Sequence, residues 1–335
     1  MILAAGRGER MNPLTKKIPK ALVYVAGKTL LEWALERYHQ SGIEDIMVAV
    51  GWKGDMIEDF VSKSGLNASI IHVPNYETGP LQTLFTAIES FDGDFLLSPV
   101  DAIIEPSTVS GIQAYHSDLD DVECLTLAVS SDAESGTFVE YDDTGLLTSI
   151  GDAEQNSKNV ARSAMMLIAH TRIRSQCKSA LDSGKERVVQ LLEQLIKDGK
   201  PVQSYGVSQP WFDIDTLSDL LAANQHLLHL RDFSDTNSVF IPSGESIEVG
   251  HGLALRSNIT VNKGALLKGP ILITPKCTIE KQCRVGPNVT IASNTTLSKG
   301  CEVTDAIIFG GSKVSSDSRV HRKVIFRSIG YDVEV

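Results

Sequence analysis

Cysteine, positive charge and long apolar runs are what this chain has little of. Its five cysteines, Cys124, Cys177, Cys277, Cys283 and Cys301, include no C-x-x-C pair, which argues against a zinc ribbon or a redox dithiol. No apolar run approaches the roughly 18 residues of a membrane span, and no signal-like segment precedes the first apolar strand, so no membrane association is expected. Only 31 Lys+Arg stand against 42 Asp+Glu, and a net charge of -11 speaks against nucleic acid as a partner. A reducing cytoplasm is the expected setting. What the chain does have is an ordinary globular composition, 42% hydrophobic and 22% charged, in 335 residues, enough for about two domains.

The acidic balance reverses at the start. Ile2 to Ala5 is a short apolar strand that runs into Gly6-Arg7-Gly8, and Arg7, Arg10, Lys16, Lys17 and Lys20 place five cations within fourteen residues. Closely spaced glycines let backbone N–H groups approach a phosphate, and clustered cations suit a polyanion. A solvated basic face on a strand–turn–helix is the alternative. A Walker loop is excluded because no Gly-Lys-Ser/Thr follows, and a dinucleotide fingerprint because Met11 stands where a third Gly or Ala belongs.

Beyond the loop, apolar Leu31, Ala34, Leu35 and Tyr38 predict a helix over 30–41 capped by Gly42. A strand over 45–50, a helix over 55–64, a strand over 68–73, a helix over 83–90 and a strand over 95–100 follow. This alternation predicts an α/β fold: a doubly wound, Rossmann-like, mostly parallel sheet that binds ligands at its C-terminal strand ends. A helix over 215–230 closes the region, and 232–237 reads as a polar linker. From Val249 the pattern changes. Val249, Leu255, Val261, Leu267, Ile273, Ile279, Val285, Ile291, Leu297 and Val303 fall at every sixth residue, and after one slip the period resumes at Val314, Val320 and Phe326. Period six fits hexapeptide repeats, three per coil of a β-helix of about four to five coils. The position four after each aliphatic also points inward and is often small: Ala265, Cys277, Cys283, Thr295, Cys301. Cys283 and Cys301 lie one coil apart, where a disulfide is geometrically conceivable but disfavoured in a reducing compartment. The expected division is a first domain over 1–231 and a β-helix domain over 238–335.

Leu3 to Lys20 fills every fixed position of L-A-A-G-x-G-x-R-[LM]-x-P-L-T-x-x-x-P-K and so resembles the signature of the sugar-1-phosphate nucleotidyltransferases. The resemblance implies transfer of a nucleoside monophosphate from a nucleoside triphosphate to a sugar 1-phosphate, with release of pyrophosphate. It implies nucleotide contacts from Leu3, Ala5, Gly6 and Gly8, and catalytic roles for Arg10 on the leaving pyrophosphate and Lys20 at the α-phosphate. In the family a G-x-x-Q loop reads the base. Gly79 and Gln82 match it, and a glutamine amide suits the imide edge of uracil or thymine, so UTP or dTTP is favoured. Mg²⁺ is the implied cofactor, held by Asp101 after the strand 95–100 and by Asp213 in Trp211-Phe212-Asp213-Ile214-Asp215-Thr216. That motif departs at Asp215, where the family has glycine. The sugar side departs further: the family's Glu-Lys-Pro becomes Asp152-Ala153-Glu154, leaving Asp152 and Lys158 as candidate sugar-phosphate residues, and A-G-I-Y becomes Ser163-Ala164-Met165-Met166.

The β-helix resembles the left-handed one behind many such catalytic domains, which implies homo-oligomer assembly through it. In some relatives it is an acetyltransferase; here only His251 and His321 fall in the repeat region, and assembly is the preferred role. A catalytically silent regulatory homologue is the rival reading. Relatives of that kind usually lose one of the four core residues, and Arg10, Lys20, Asp101 and Asp213 are all present.

Overall fold

A computed structural model describes residues 1–335 except 120–123, 134–135, 152–158, 209–210, 231–236, 252, 256–257 and 334–335. The chain divides into two compact units, the first of 1–9, 15–22 and 30–213, the second of 10–14, 23–29 and 214–335. The polar stretch read as a linker falls almost wholly outside the described residues.

The first unit is built on a sheet whose N-terminal half is parallel. Ile2–Ala4 lies between Met47–Val50 and Asp94–Pro99, and Ser69–His72 extends the parallel run. Past Asp94–Pro99 the direction reverses. The eleven-residue strand Val160–His170 pairs antiparallel with Asp94–Pro99, Leu125–Ser130 and Phe138–Tyr141, and Phe138–Tyr141 pairs antiparallel with Leu147–Gly151. With both directions present, this half is a mixed sheet. Side chains alternate across the sheet. Ile2, Ala4, Val48 and Val50 face one core with residues of helices Leu30–Gln40, Gly54–Ser64 and Pro106–Ser117. Ala49 and Leu97 face the other, with helices Pro80–Ala87, Arg174–Asp182 and Val188–Lys197. Val188, Leu191, Leu192 and Leu195, all buried, give the last of these its apolar stripe. Helices on both faces are the doubly wound arrangement. No helix among the described residues is long and apolar enough to cross a membrane.

The second unit carries the helix Leu217–Leu230, started by a reciprocal cap in which Thr216 N–H donates to Asp219 Oδ2 at 2.7 Å and Asp219 N–H to Thr216 Oγ1 at 3.1 Å. Its β-helix has three stacks of parallel strands: Val261, Ile279, Leu297 and Val314 in one, Leu267, Val285, Val303 and Val320 in the next, Ile273, Ile291, Ile308 and Ile325 in the third. The aliphatics spaced by six between Val261 and Val303 thus stack from coil to coil, and the pattern around them departs from the expected one in two places. Strands Val239–Ile241, Ser246–Glu248 and Leu253–Leu255 pair antiparallel with the first coil, so the stretch around Val249 and Leu255 is a lead-in and four coils remain. The period also slips twice, because Ile325, not Phe326, stacks on Ile308. Ala265, Cys277, Cys283 and Cys301 fill the coil interior, and Cys283 and Cys301 are free thiols.

A polar network sits in this apolar setting. Asn224, 1% exposed, accepts from Ala26 N–H at 3.1 Å and from Thr290 Oγ1 at 2.7 Å, and its amide donates to Asn288 O at 3.4 Å. It thus ties the turn between Tyr24–Val25 and Lys28–Thr29 to the helix and the coil. Removing its oxygen strands a buried N–H and a buried hydroxyl, so Asn224→Ala should cost about 2–4 kcal/mol; an unchanged urea midpoint would contradict this. Burial also raises the thiols, Cys177 to about 12 and Cys301 to about 11, with Cys277 and Cys283 shifted the same way. Thiolate is therefore scarce at pH 8, and these four should escape iodoacetamide in the native protein and label on unfolding, as mass spectrometry would read.

Candidate active site

The parallel strands deliver the site. Ile2–Ala4 and Asp94–Pro99 point the same way, so the segments that leave them, Gly6–Gly8 and Val100–Asp101, emerge at one edge of the sheet. Val100 N–H donates to Leu3 O at 3.1 Å, and Trp52 N–H to Ala5 O at 2.9 Å, which fixes where the loop starts. The loop then folds back on itself. Thr15 Oγ1 donates to Gly8 O at 2.7 Å, and Trp52 Nε1 to Thr15 O at 3.2 Å. Gly8 has φ +62, and a Cβ there would come within 3.1 Å of Thr15 Cγ2 and 3.2 Å of Lys20 Cβ, so the glycine serves the fold-back. Gly6 is exposed, and a Cβ there would meet nothing within 4 Å.

Lys20 is 8% exposed, and its ammonium lies against Asp101 Oδ2. A cation this deep needs an opposing charge, and Asp101, itself mostly covered, supplies it. Asp213 arrives from far along the chain: Phe212–Asp213 pairs antiparallel with Ala102–Ile103, with Asp213 opposite Ala102, the residue after Asp101. The carboxylates of Asp101 and Asp213 approach within 4.8 Å, an all-oxygen pair that could hold a hard divalent cation. A second candidate group, Asp55, Glu58 and His72, is wholly exposed. Its His72 Nε2 and Glu58 Oε2 lie 2.9 Å apart.

Gly79 and Gln82, expected from the resemblance to read the base, stand at a different strand end. The helix begins at Pro80, not Thr83, because a proline at the first helical position starts it, so Gln82 lies in the first turn. Gln82 Nε2 donates to Thr86 Oγ1 at 3.1 Å. Gly79 has φ +131, and a Cβ would fall 2.6 Å from the Glu186 carbonyl oxygen, which accepts Leu81 N–H at 2.9 Å. Of the loop cations, Arg7 stacks over Trp52 at 5.2 Å and faces Glu77 at 3.6 Å.

Arg10 belongs to the second unit, where its guanidinium pairs with Asp215 Oδ2 at 2.7 Å. Sequence reasoning noted Asp215 as a departure without finding this partner. Asp152 and Lys158 lie outside the described residues. The altered Ser163-Ala164-Met165-Met166 stretch forms a bulge: pairing with Leu125–Ser130 shifts between Ser163 and Leu167, Met165 has φ +54, and its N–H is held by Ser163 Oγ at 3.1 Å.

The glycine loop and Asp101 thus follow the C-terminal ends of two parallel strands, with Lys20 and Asp213 converging on Asp101. The chain belongs to the MobA-like NTP transferase domain family, whose model matches residues 1–198. Residues 267–332 match the GMPPB C-terminal domain. The chain is 24% identical over 337 residues to the bifunctional protein GlmU of Methanococcus maripaludis, spanning 97% of this chain and 76% of that one. It is likewise 24% identical over 349 residues to the UTP–glucose-1-phosphate uridylyltransferase of Synechocystis, spanning 97% and 86%. The inositol-1-phosphate CTP transferase from T. maritima shares the fold at a TM-score of 0.57 and 18% identity, over 65% of this chain and 89% of that one.

If Asp101 and Asp213 hold a cation, millimolar Mg²⁺ should raise the melting temperature of the wild type and leave Asp213→Asn unshifted. An equal shift in both would place the ion elsewhere.

Proposed function

We propose that this chain transfers a nucleoside monophosphate from UTP or dTTP to a sugar 1-phosphate, giving a nucleotide sugar and pyrophosphate. The observation that carries the reading is the buried Lys20 ammonium set against Asp101, with Asp213 paired in beside it. A phosphate oxygen of the sugar phosphate attacks the α-phosphorus, that P–O bond forms, and the bond to the bridging oxygen of the β-phosphate breaks. The nucleophile is already anionic, so no general base is needed, and rate comes from alignment and charge neutralisation. Lys20, a compact point charge, neutralises the α-phosphate and the incoming phosphate together. Backbone N–H groups of Gly6 to Gly8, with Leu3 and Ala5, seat the triphosphate, and Arg10 steadies the departing pyrophosphate. Gly79 and Gln82 read the imide edge of the base. Asp101 and Asp213 would hold Mg²⁺, which when bound supplies further positive charge at the phosphates. Asp152 and Lys158 are assigned to the sugar phosphate.

The reading also takes 1–231 as the catalytic domain, in a reducing cytoplasm, and 238–335 as an assembly domain.

The test is pyrophosphate release with each nucleoside triphosphate and a panel of sugar 1-phosphates. Turnover with UTP or dTTP is expected, and Lys20→Ala should lose about 10²–10³-fold in kcat, the scale of removing one charge stabiliser. Near-normal turnover in Lys20→Ala would overturn the assignment. Binding without turnover across the panel would favour a regulatory homologue, and acetyl-CoA binding by calorimetry would add an acetyltransferase.

A further inference from the structure

We propose that Asp215 is an intramolecular competitor for Arg10, occupying the guanidinium when no triphosphate is bound and retaking it as pyrophosphate leaves. The inference rests on the reading above, in which Arg10 serves the triphosphate. Arg10 Nη2 and Asp215 Oδ2 lie 2.7 Å apart, the length of a charge-assisted hydrogen bond. The two partners are unequal. Asp215's side chain is 18% exposed and Arg10's 70%, so one is an anchor and the other a free arm.

The anchor is also held from behind. Asp215 N–H donates to Asp219 Oδ2 at 3.1 Å, and Thr216 donates to the same oxygen from its N–H at 2.7 Å and its hydroxyl at 2.8 Å. The helix cap thus fixes the backbone that presents the carboxylate. Arg10 rides on the short turn Glu9–Met11 and can swing on its own side chain.

Carboxylate and phosphate are interchangeable partners for a guanidinium fork. A polyphosphate carries more charge than one carboxylate, so an arriving triphosphate displaces Asp215, while an exposed arm keeps the pair weak enough to open. As pyrophosphate departs, Asp215 retakes the fork and closes off rebinding. Asp215 is accordingly a positioning residue, acting through Arg10, that trades nucleotide affinity for product release. Glycine at this position, as in the resembling motif, provides no such competitor.

Calorimetry with pyrophosphate and Mg²⁺ tests this on the wild type, Asp215→Asn, Arg10→Ala and the double variant, with melting temperatures to confirm folding. Asp215→Asn should bind pyrophosphate about fivefold more tightly, should lower the nucleotide KM by a similar factor, and should have no effect in the Arg10→Ala background; Asp215→Glu should restore wild-type values. Weaker or unchanged binding in Asp215→Asn, or the same gain without Arg10, would overturn the proposal. If the wild type binds pyrophosphate with this coupling yet turns over no substrate pair, the competitor stands and the transferase reading falls. Normal turnover with zero coupling gives the reverse, and no pyrophosphate binding at all ends both.

Discussion

A buried lysine has to be answered by a carboxylate, and much of the first unit's site follows from that. Lys20 is mostly covered, and leaving its charge uncompensated there would cost several kcal/mol. Asp101 answers it from the turn after Asp94–Pro99. That turn leads into Ala102–Ile103, the two-residue strand on which Phe212–Asp213 docks, so the element that places the lysine's partner also recruits the second carboxylate. Gly8 obeys the same constraint, since a side chain there would press on Thr15 and Lys20. Loop, lysine and carboxylates are one folded object.

Arg10 is arranged on the opposite principle. Lys20 is mostly hidden and set against Asp101, and the proposed reaction uses it as a point charge at the reacting centre. Arg10 is exposed and paired with Asp215, and the proposed reaction uses it as a fork for the pyrophosphate that departs. The division suits a reaction that keeps the α-phosphate still while pyrophosphate leaves.

Much of this was legible in the sequence because it is local. The loop 3–20, the alternation of strands and helices, and aliphatics at every sixth residue are patterns within short windows, and the elements stand close to the expected ones. What escaped is long-range or sub-periodic. Nothing local shows that the two residues Phe212–Asp213 pair with Ala102–Ile103, and Arg10 and Asp215 are separated by most of the chain. The antiparallel strands before Val261 share the hexad spacing, so periodicity could not reveal their direction. The slip that brings Ile325 over Ile308 hides because Phe326 is an apolar neighbour. The bulge at Met165 places a non-glycine residue at φ +54, a conformation its side chain does not announce.

In the proposed reaction Lys20 acts as a fixed charge in a direct transfer and never carries the nucleotide itself. Exchange of labelled pyrophosphate into the nucleoside triphosphate tests it most directly, with and without the sugar 1-phosphate. Exchange that requires the sugar phosphate is the expected result, because the acceptor oxygen alone attacks the α-phosphorus. Exchange in its absence, together with label retained on the protein after acid denaturation, would mean a covalent nucleotidyl-enzyme and would contradict the role given to Lys20.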